Sequence, residues 1–370
     1  MRMNRREVIR AAGLAALGVA VGPACAMRSA PPARVTRPPR RFAKVRVSPD
    51  RVTRIVVGLR PYRPTGFVVR TDRFDSKVVI HNYGHGGGGI TLSWGSAQLA
   101  VEQAAETAHD TFAVLGCGVM GLSTARLLQR RGATVTIYTK DLPPQTTSNI
   151  AGGQWSPAGV ADRDKRTPAW NAQFERAARF SHWFFQDMIG GYYGVRWIEN
   201  YVCQKKPFEP SQSAIDDLYP ESRALEPGQH PFPAPHVRQF TTMLVEPAPY
   251  LNAVMRDFLL AGGKIVTREF RDRAEVLALD EPAIVNCTGL GARALFGDEE
   301  LTPVKGQLTV LLPQPEIDYI VIHEDLYMFP REDGILLGGT RERGVWTLDP
   351  NQEAATKILD GHRTFFDAMS

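Results

Sequence analysis

Cysteine is scarce in this chain of 370 residues: Cys25, Cys117, Cys203 and Cys287 are the whole complement, and their spacing shows no pairing. A disulfide framework is thereby excluded. Long apolar runs are missing too, since the stretch Ala11 to Val21 is well short of the about 20 residues that a membrane helix needs. A one-sided charge is also lacking. Lys plus Arg number 44 and Asp plus Glu 39, a formal +5. Residues 1–26 hold Arg2, Arg5, Arg6 and Arg10 against Glu7, which leaves 40 basic and 38 acidic residues, net +2, in the rest. So small an excess argues against a nucleic-acid or anionic-lipid partner. There is no internal repeat and no Ser/His/Asp or Cys/His nucleophile signature.

With 43% hydrophobic and 22% charged residues, the chain is long enough for two domains or one two-lobed unit with a sizeable core. Its first 26 residues combine Arg5-Arg6, a short apolar segment and Ala24-Cys25-Ala26. That order predicts a cleavable twin-arginine export signal and a periplasmic or extracellular destination. The twin-arginine route carries folded proteins, which suits a protein that takes up its cofactor before export. Residues 27–50, with Pro31-Pro32 and Pro38-Pro39-Arg40-Arg41, read as a linker.

Thr111 to Leu115 is an apolar run followed by Gly116-Cys117-Gly118-Val119-Met120-Gly121 and then by apolar residues at helical spacing to Gln129. A strand that enters a GxGxxG turn and a helix presents backbone N–H groups to a pyrophosphate. Ala133 to Tyr138 reads as the next strand. It ends at Lys140-Asp141, where an acidic residue can hold a ribose hydroxyl.

Such a turn ordinarily opens its domain, yet here it follows a motif-rich segment at 51–110. That segment contains Gly58-Leu59-Arg60-Pro61-Tyr62-Arg63-Pro64 and His81-Asn82-Tyr83-Gly84-His85-Gly86-Gly87-Gly88-Gly89-Ile90-Thr91, then a helical pattern through Ala105. Downstream come Pro144 to Asn149, Ala151 to Trp155, Asn286-Cys287-Thr288-Gly289, Gly306-Gln307, Tyr327 to Arg331 and Leu337-Gly338-Gly339. Together these stretches resemble the D-amino-acid oxidase family of flavoproteins, with the family's closing segment placed first, as in a circular permutation. An ordinary member would continue from a helix like Asn351 to Met369 into the GxRPxRP stretch.

The resemblance implies an α/β fold: a Rossmann-like FAD-binding lobe and a substrate lobe with a large, mostly antiparallel sheet. The expected partition places the main FAD lobe at 111–196 and 263–302, the substrate lobe at 197–262 and 303–350, and a terminal helix at 351–370. It implies FAD contacts at Gly116, Gly118, Val119, Met120, Gly121, Lys140, Asp141, Thr146, Thr147, Ser148, Gly153, Gln154, Phe270 and Thr288, and at Gly86, Gly89, Ile90 and Thr91 by the flavin. Arg60 would grip the substrate carboxylate in two-pronged fashion, Tyr327 would donate to it, and the Gly87 carbonyl would accept from the amine. Arg63 would serve structure. His323 stands where animal members carry a lid tyrosine, and is equally readable as a solvated histidine or a substrate contact.

The implied reaction is hydride transfer from the alpha carbon of a D-amino acid to flavin N5, hydrolysis of the imine to a 2-oxo acid and ammonia, and reoxidation by dioxygen to hydrogen peroxide. A quinone or protein acceptor, a glycine or sarcosine oxidase, and a non-catalytic flavin-binding protein are the alternatives. The His81-to-His85 spacing lacks the further ligands a metal site needs. The helix from Trp170 to Gln186, with Trp183, Phe184 and Phe185, reads as core. The permuted order predicts that the chain end lies beside residues 45–52 and that Gly87 meets Gly116 and Tyr327 of its own chain, unless a second subunit exchanges the segment. Oligomeric state is not legible.

Overall fold

The computed structural model describes residues 40–211 and 213–370. The expected export signal and the linker up to residue 39 lie outside them. The first strand, β1 (Val52–Tyr62), is followed by a hairpin, β2 (Val68–Phe74) and β3 (Lys77–Tyr83), and by helix α1 (Gly89–Ala105). Then come β4 (Thr111–Leu115), α2 (Val119–Arg130), β5 (Thr134–Thr139), α3 (Pro168–Gln186), β6 (Val195–Gln204), β7 (Arg223–Leu225) and β8 (His236–Val245). Helix α4 (Pro247–Leu260), β9 (Lys264–Thr267), α5 (Arg273–Leu277), β10 (Ala283–Asn286) and α6 (Gly291–Phe296) lead to β11 (Thr302–Leu311), β12 (Tyr319–His323), β13 (Leu326–Arg331), β14 (Gly334–Gly338), β15 (Glu342–Arg343) and α7 (Gln352–Asp367).

Two sheets form. The smaller has the order β2-β3-β10-β4-β5-β9 and is parallel except for the β2–β3 hairpin. Both its faces are covered, so its strands are nearly continuous apolar runs whose alternate side chains enter different cores. Ile80, Phe112 and Val114 pack with Trp94, Leu122, Phe185 and Tyr250 from α1, α2, α3 and α4. Val79, Ala113 and Leu115 face the other way, onto Val276 and Leu295. The larger, nine-stranded sheet runs β1-β11-β14-β13-β12-β6-β8-β7 with β15 beside β11, and among these only β12 and β6 pair in parallel. Tyr319, Val321 and Leu337 point to one face, Ile320, Leu308 and Leu336 to the other.

Four expectations need correction. Residues 42–50 are not linker: Val45 and Val47 are buried with Tyr319 and Phe366, and the Arg46 N–H donates to Gln314 Oε1. Residues 247–260 do not join the substrate sheet, because Tyr250, Val254 and Phe258 of α4 pack in the same core as α2. The segment 51–110 is divided, with β1 in the larger sheet and β2, β3 and α1 in the smaller layer. Trp183 lies on the outer side of α3 and is 56% exposed, whereas Phe184 and Phe185 are buried. The three cysteines of the described chain are buried and unpaired. No helix among the described residues is long and apolar enough to cross a membrane.

Candidate functional site

A cleft of about 2420 Å³ runs between the carboxyl ends of the parallel strands and the larger sheet. Ordinary small-ligand pockets hold about 300–1,000 Å³, so this one has room for a long cofactor and a second ligand. Of the sequence-derived cofactor residues, Gly86, Gly89, Ile90, Thr91, Gly116, Gly118, Val119, Met120, Lys140, Asp141, Thr146, Thr147, Ser148, Gly153, Gln154, Phe270 and Thr288 all line it. Gly121 does not. A Cβ there would sit 1.9 Å from the Gly116 carbonyl oxygen, so Gly121 seats helix α2 on the turn instead of touching a ligand.

Two helix N-termini open into the cleft, and neither is capped by its own N-cap side chain. At α2, Gly116 takes φ +100° and its N–H donates to Tyr138 O, while the Val119 N–H donates to Ser148 Oγ at 3.0 Å. The positive end of a helix that opens into the cleft suits a pyrophosphate. At α1, the Gly86–Gly88 turn runs directly into the helix at Gly89. Gly86 adopts φ +53°, and a Cβ on Gly87 would lie 2.8 Å from Ala158 O, so only glycine fits this close approach. Thr288 donates its hydroxyl to Asn286, and Thr91 Oγ1 accepts from the Ser156 N–H. Beyond β5, Lys140 pairs with Glu269 at 3.6 Å and Arg268 lies over the Phe270 ring. Anion-ready helix ends at both points and glycine surfaces between them fit FAD.

Facing the glycine turn, Arg60 Nη2 lies 3.4 Å from the Tyr327 hydroxyl. Glycines on neighbouring strands make the room: a Cβ on Gly306 would collide with the Arg60 guanidinium, and one on Gly338 with the Tyr327 ring. Arg60 forms no ion pair with a carboxylate among the described residues. Two neighbouring donors over an open cleft have the chemistry to bind a carboxylate. Gly87 and Tyr327 line the same cleft as Gly116, so one chain supplies the whole set.

Arg63, as expected, is structural, bonded to Asp298 at 2.8 Å and to Gly66 O. His323 is not solvated. It is 9% exposed and stacked on Phe365 at 4.0 Å, and burial lowers its pKa to about 3. Its neighbour His362, on α7, is buried with Nδ1 2.8 Å from Ile358 O and Nε2 3.1 Å from Tyr327 O. The ring is thus wedged between its own helix and the strand that carries Tyr327. Sequence reading missed several lining residues: Ala158 and Gly159 against the glycine turn, Arg341, and Lys357 on α7. They sit on loops and an amphipathic helix whose pattern carries no chemical signal of its own.

Comparison with known proteins agrees with this architecture. The chain is 33% identical over 257 residues to the D-amino-acid oxidase of Streptomyces coelicolor, covering 66% of this chain and 74% of that one. With the D-aspartate oxidase of Homo sapiens it shares 32% over 257 residues, 67% of this chain and 73% of the relative. Its fold is shared with the glycine oxidase of Geobacillus kaustophilus, at a TM-score of 0.53 and 17% identity over 71% of this chain and 80% of that one. Residues 111–369, from the first strand of the glycine turn through α7, match the model of the DAO family, FAD dependent oxidoreductase. With the two helix ends and the glycine cradle in place for the cofactor, the chain belongs to the DAO family of FAD-dependent oxidoreductases.

Proposed function

We propose that this protein oxidatively deaminates D-amino acids, and the carrying observation is the Arg60–Tyr327 pair over the glycine turn. Held by the glycine turn of β4–α2 and by Gly86 to Thr91, FAD would supply the electron sink for the hydride of the alpha carbon, with dioxygen as the acceptor. The guanidinium and phenol hold the substrate carboxylate, and the Gly87 carbonyl accepts from the amine. These contacts fix which substituent of the alpha carbon points at the cofactor. The product leaves as an imine and hydrolyses to a 2-oxo acid and ammonia. The names of the two curated relatives support the D configuration. Anaerobic titration with D-amino acids, L-amino acids and glycine tests it: D-amino acids should bleach the flavin, and bleaching by L-amino acids or glycine alone overturns the reading.

A narrower reading favours acidic side chains. Arg341 lines the cleft, exposed and without an ion pair or hydrogen bond among the described residues. A relative named D-aspartate oxidase fits a cation at that place. A higher kcat/KM for D-aspartate than for D-alanine is expected, and the reverse order overturns it.

Two further parts of the proposal concern the chain's history and destination. The order of elements, with the Arg60 strand and glycine turn ahead of β4, supports a circular permutation of the family's fold. Lys44 Nζ donates to Met369 O, and Val45, Val47, Phe366 and Met369 share one core cluster, so the end of the last helix adjoins the start of the first strand. Residues 1–26 support twin-arginine export, and N-terminal sequencing of the protein from a periplasmic fraction tests it.

A further inference from the structure

Beyond the carboxylate grip, three side chains from three separate segments meet at the rim of the cleft. Tyr62 lies two residues after Arg60 on β1, so both side chains leave the same face of the strand. Its ring is 2% exposed, and its Cδ2 lies 2.8 Å from where a Cβ on Gly86 would stand. The phenol donates to Asp162 Oδ1 at 2.5 Å. Arg343, on β15, donates to the other carboxylate oxygen at 2.9 Å, and its guanidinium lies 4.6 Å from the centre of the Tyr62 ring. Asp162 belongs to the loop that covers the glycine turn: the Gly87 N–H donates to Gly159 O, and the Asp162 N–H to Pro64 O. Arg341 reaches the same loop, with Nη2 3.0 Å from the place of a Gly159 Cβ.

We propose that Tyr62, Asp162 and Arg343 are positioning residues that lock the strand of Arg60, the turn of Gly87 and the loop of Arg341 into one spacing. The inference rests on the functional reading above and adds the device that sets its geometry. None of the three needs to touch the reacting atoms. Both carboxylate oxygens are engaged, one by a neutral donor and one by a cation, so the link is directional on both sides. Tyr62 H-bonding and the Arg343 charge hold the Asp162 carboxyl below its ordinary pKa, and burial pushes the Tyr62 phenol up to about 12. The donor and acceptor roles are therefore kept through the neutral range. A displacement of about 1 Å between the carboxylate grip and the amine acceptor is enough to lower turnover strongly.

The test uses the FAD-loaded protein and the variants Tyr62→Phe, Asp162→Asn and Arg343→Lys. Tyr62→Phe keeps the ring and removes only the bond. It should raise KM for the amino acid at least about fivefold while the FAD dissociation constant stays within about twofold. Binding of benzoate, read as a shift of the flavin spectrum without turnover, should weaken in parallel, and Arg343→Lys should lie between wild type and Asp162→Asn. Variants that bind FAD, benzoate and amino acid like wild type overturn the proposal. Variants that no longer hold FAD overturn it as well, because the three residues would then serve the fold. If no amino acid reduces the wild type but benzoate binding weakens in the variants, the functional reading fails and the lock stands.

Discussion

Arg60 owes its place over the cleft to the residues around it. Its guanidinium occupies the space that a Cβ on Gly306 would need, and it reaches Tyr327 with no carboxylate neutralising it among the described residues. Arg60→Ala should leave FAD bound and reduce kcat/KM for amino acids by at least about 10²-fold, which corresponds to about 2.7 kcal/mol of transition-state binding. Arg60→Lys should restore only part, since an ammonium lacks the fork geometry. Steady-state kinetics check both, and unchanged rates in Arg60→Ala would remove it from the site. Arg60 was legible in the sequence because it stands in a long motif, Gly58 to Pro64. Asp162 and Arg343 were not, because they meet Tyr62 and each other across sequence separations of 100 and 181 residues and lie in segments without period.

The turn between β4 and α2 gives a similar lesson one level up. Its glycine spacing was readable, and so was its purpose of presenting backbone N–H groups. What the spacing could not distinguish is which glycine approaches the ligand and which approaches the protein. Gly118 lines the cleft, whereas Gly121 packs α2 onto the Gly116 carbonyl. Gly121→Ala would place a methyl group 1.9 Å from that oxygen, so the helix must move off the turn, at a cost of about 1–3 kcal/mol. FAD affinity should fall at least about tenfold, since the N–H groups no longer converge; equilibrium dialysis or flavin fluorescence measures it, and an unchanged affinity would contradict this packing. The helix that the pattern carries through Ala105 starts within the second glycine motif itself, at Gly89. Glycine and threonine have weak helix propensity, and the first turn is held by tertiary packing, with Ile90, Thr91 and Leu92 buried.

For the molecule as a whole, four of the five buried histidines among the described residues set a common pH response. Burial lowers His81 and His362 to about 4 and His85 and His323 to about 3, with Asp72 partly opposing the effect at His81. Each stays neutral in the folded protein but binds a proton once unfolded, near pH 6.5. The unfolded state therefore takes up more protons as the pH falls, and stability present above about pH 6.5 is lost towards pH 4, at about 1.4 kcal/mol per group and pH unit. Melting of the FAD-loaded protein should move to lower temperature steadily between pH 7 and pH 4; a flat melting temperature over that span would show that these rings are not held neutral. The permuted order yields a further expectation. A rearranged chain that starts at Thr111, runs through Ser370 and continues by a short linker into residues 44–106 should bind FAD like the original, because Lys44 already touches Met369. Failure to bind FAD would argue that the present order is needed to fold the site.

The α/β class and the glycine turn could be read from the chain's strand and helix periods, and the two sheets and the candidates Arg60, Tyr327 and Gly87 from long motifs that resemble the family's, because periods and motifs are local properties. The placement of the last helix across the cleft, the burial of His323, the packing of α4 beside α2 and the Tyr62–Asp162–Arg343 junction required the folded molecule. Each depends on which distant surfaces come together to bury apolar area and satisfy polar groups, and that information is spread over the whole chain and carried by no single segment of it.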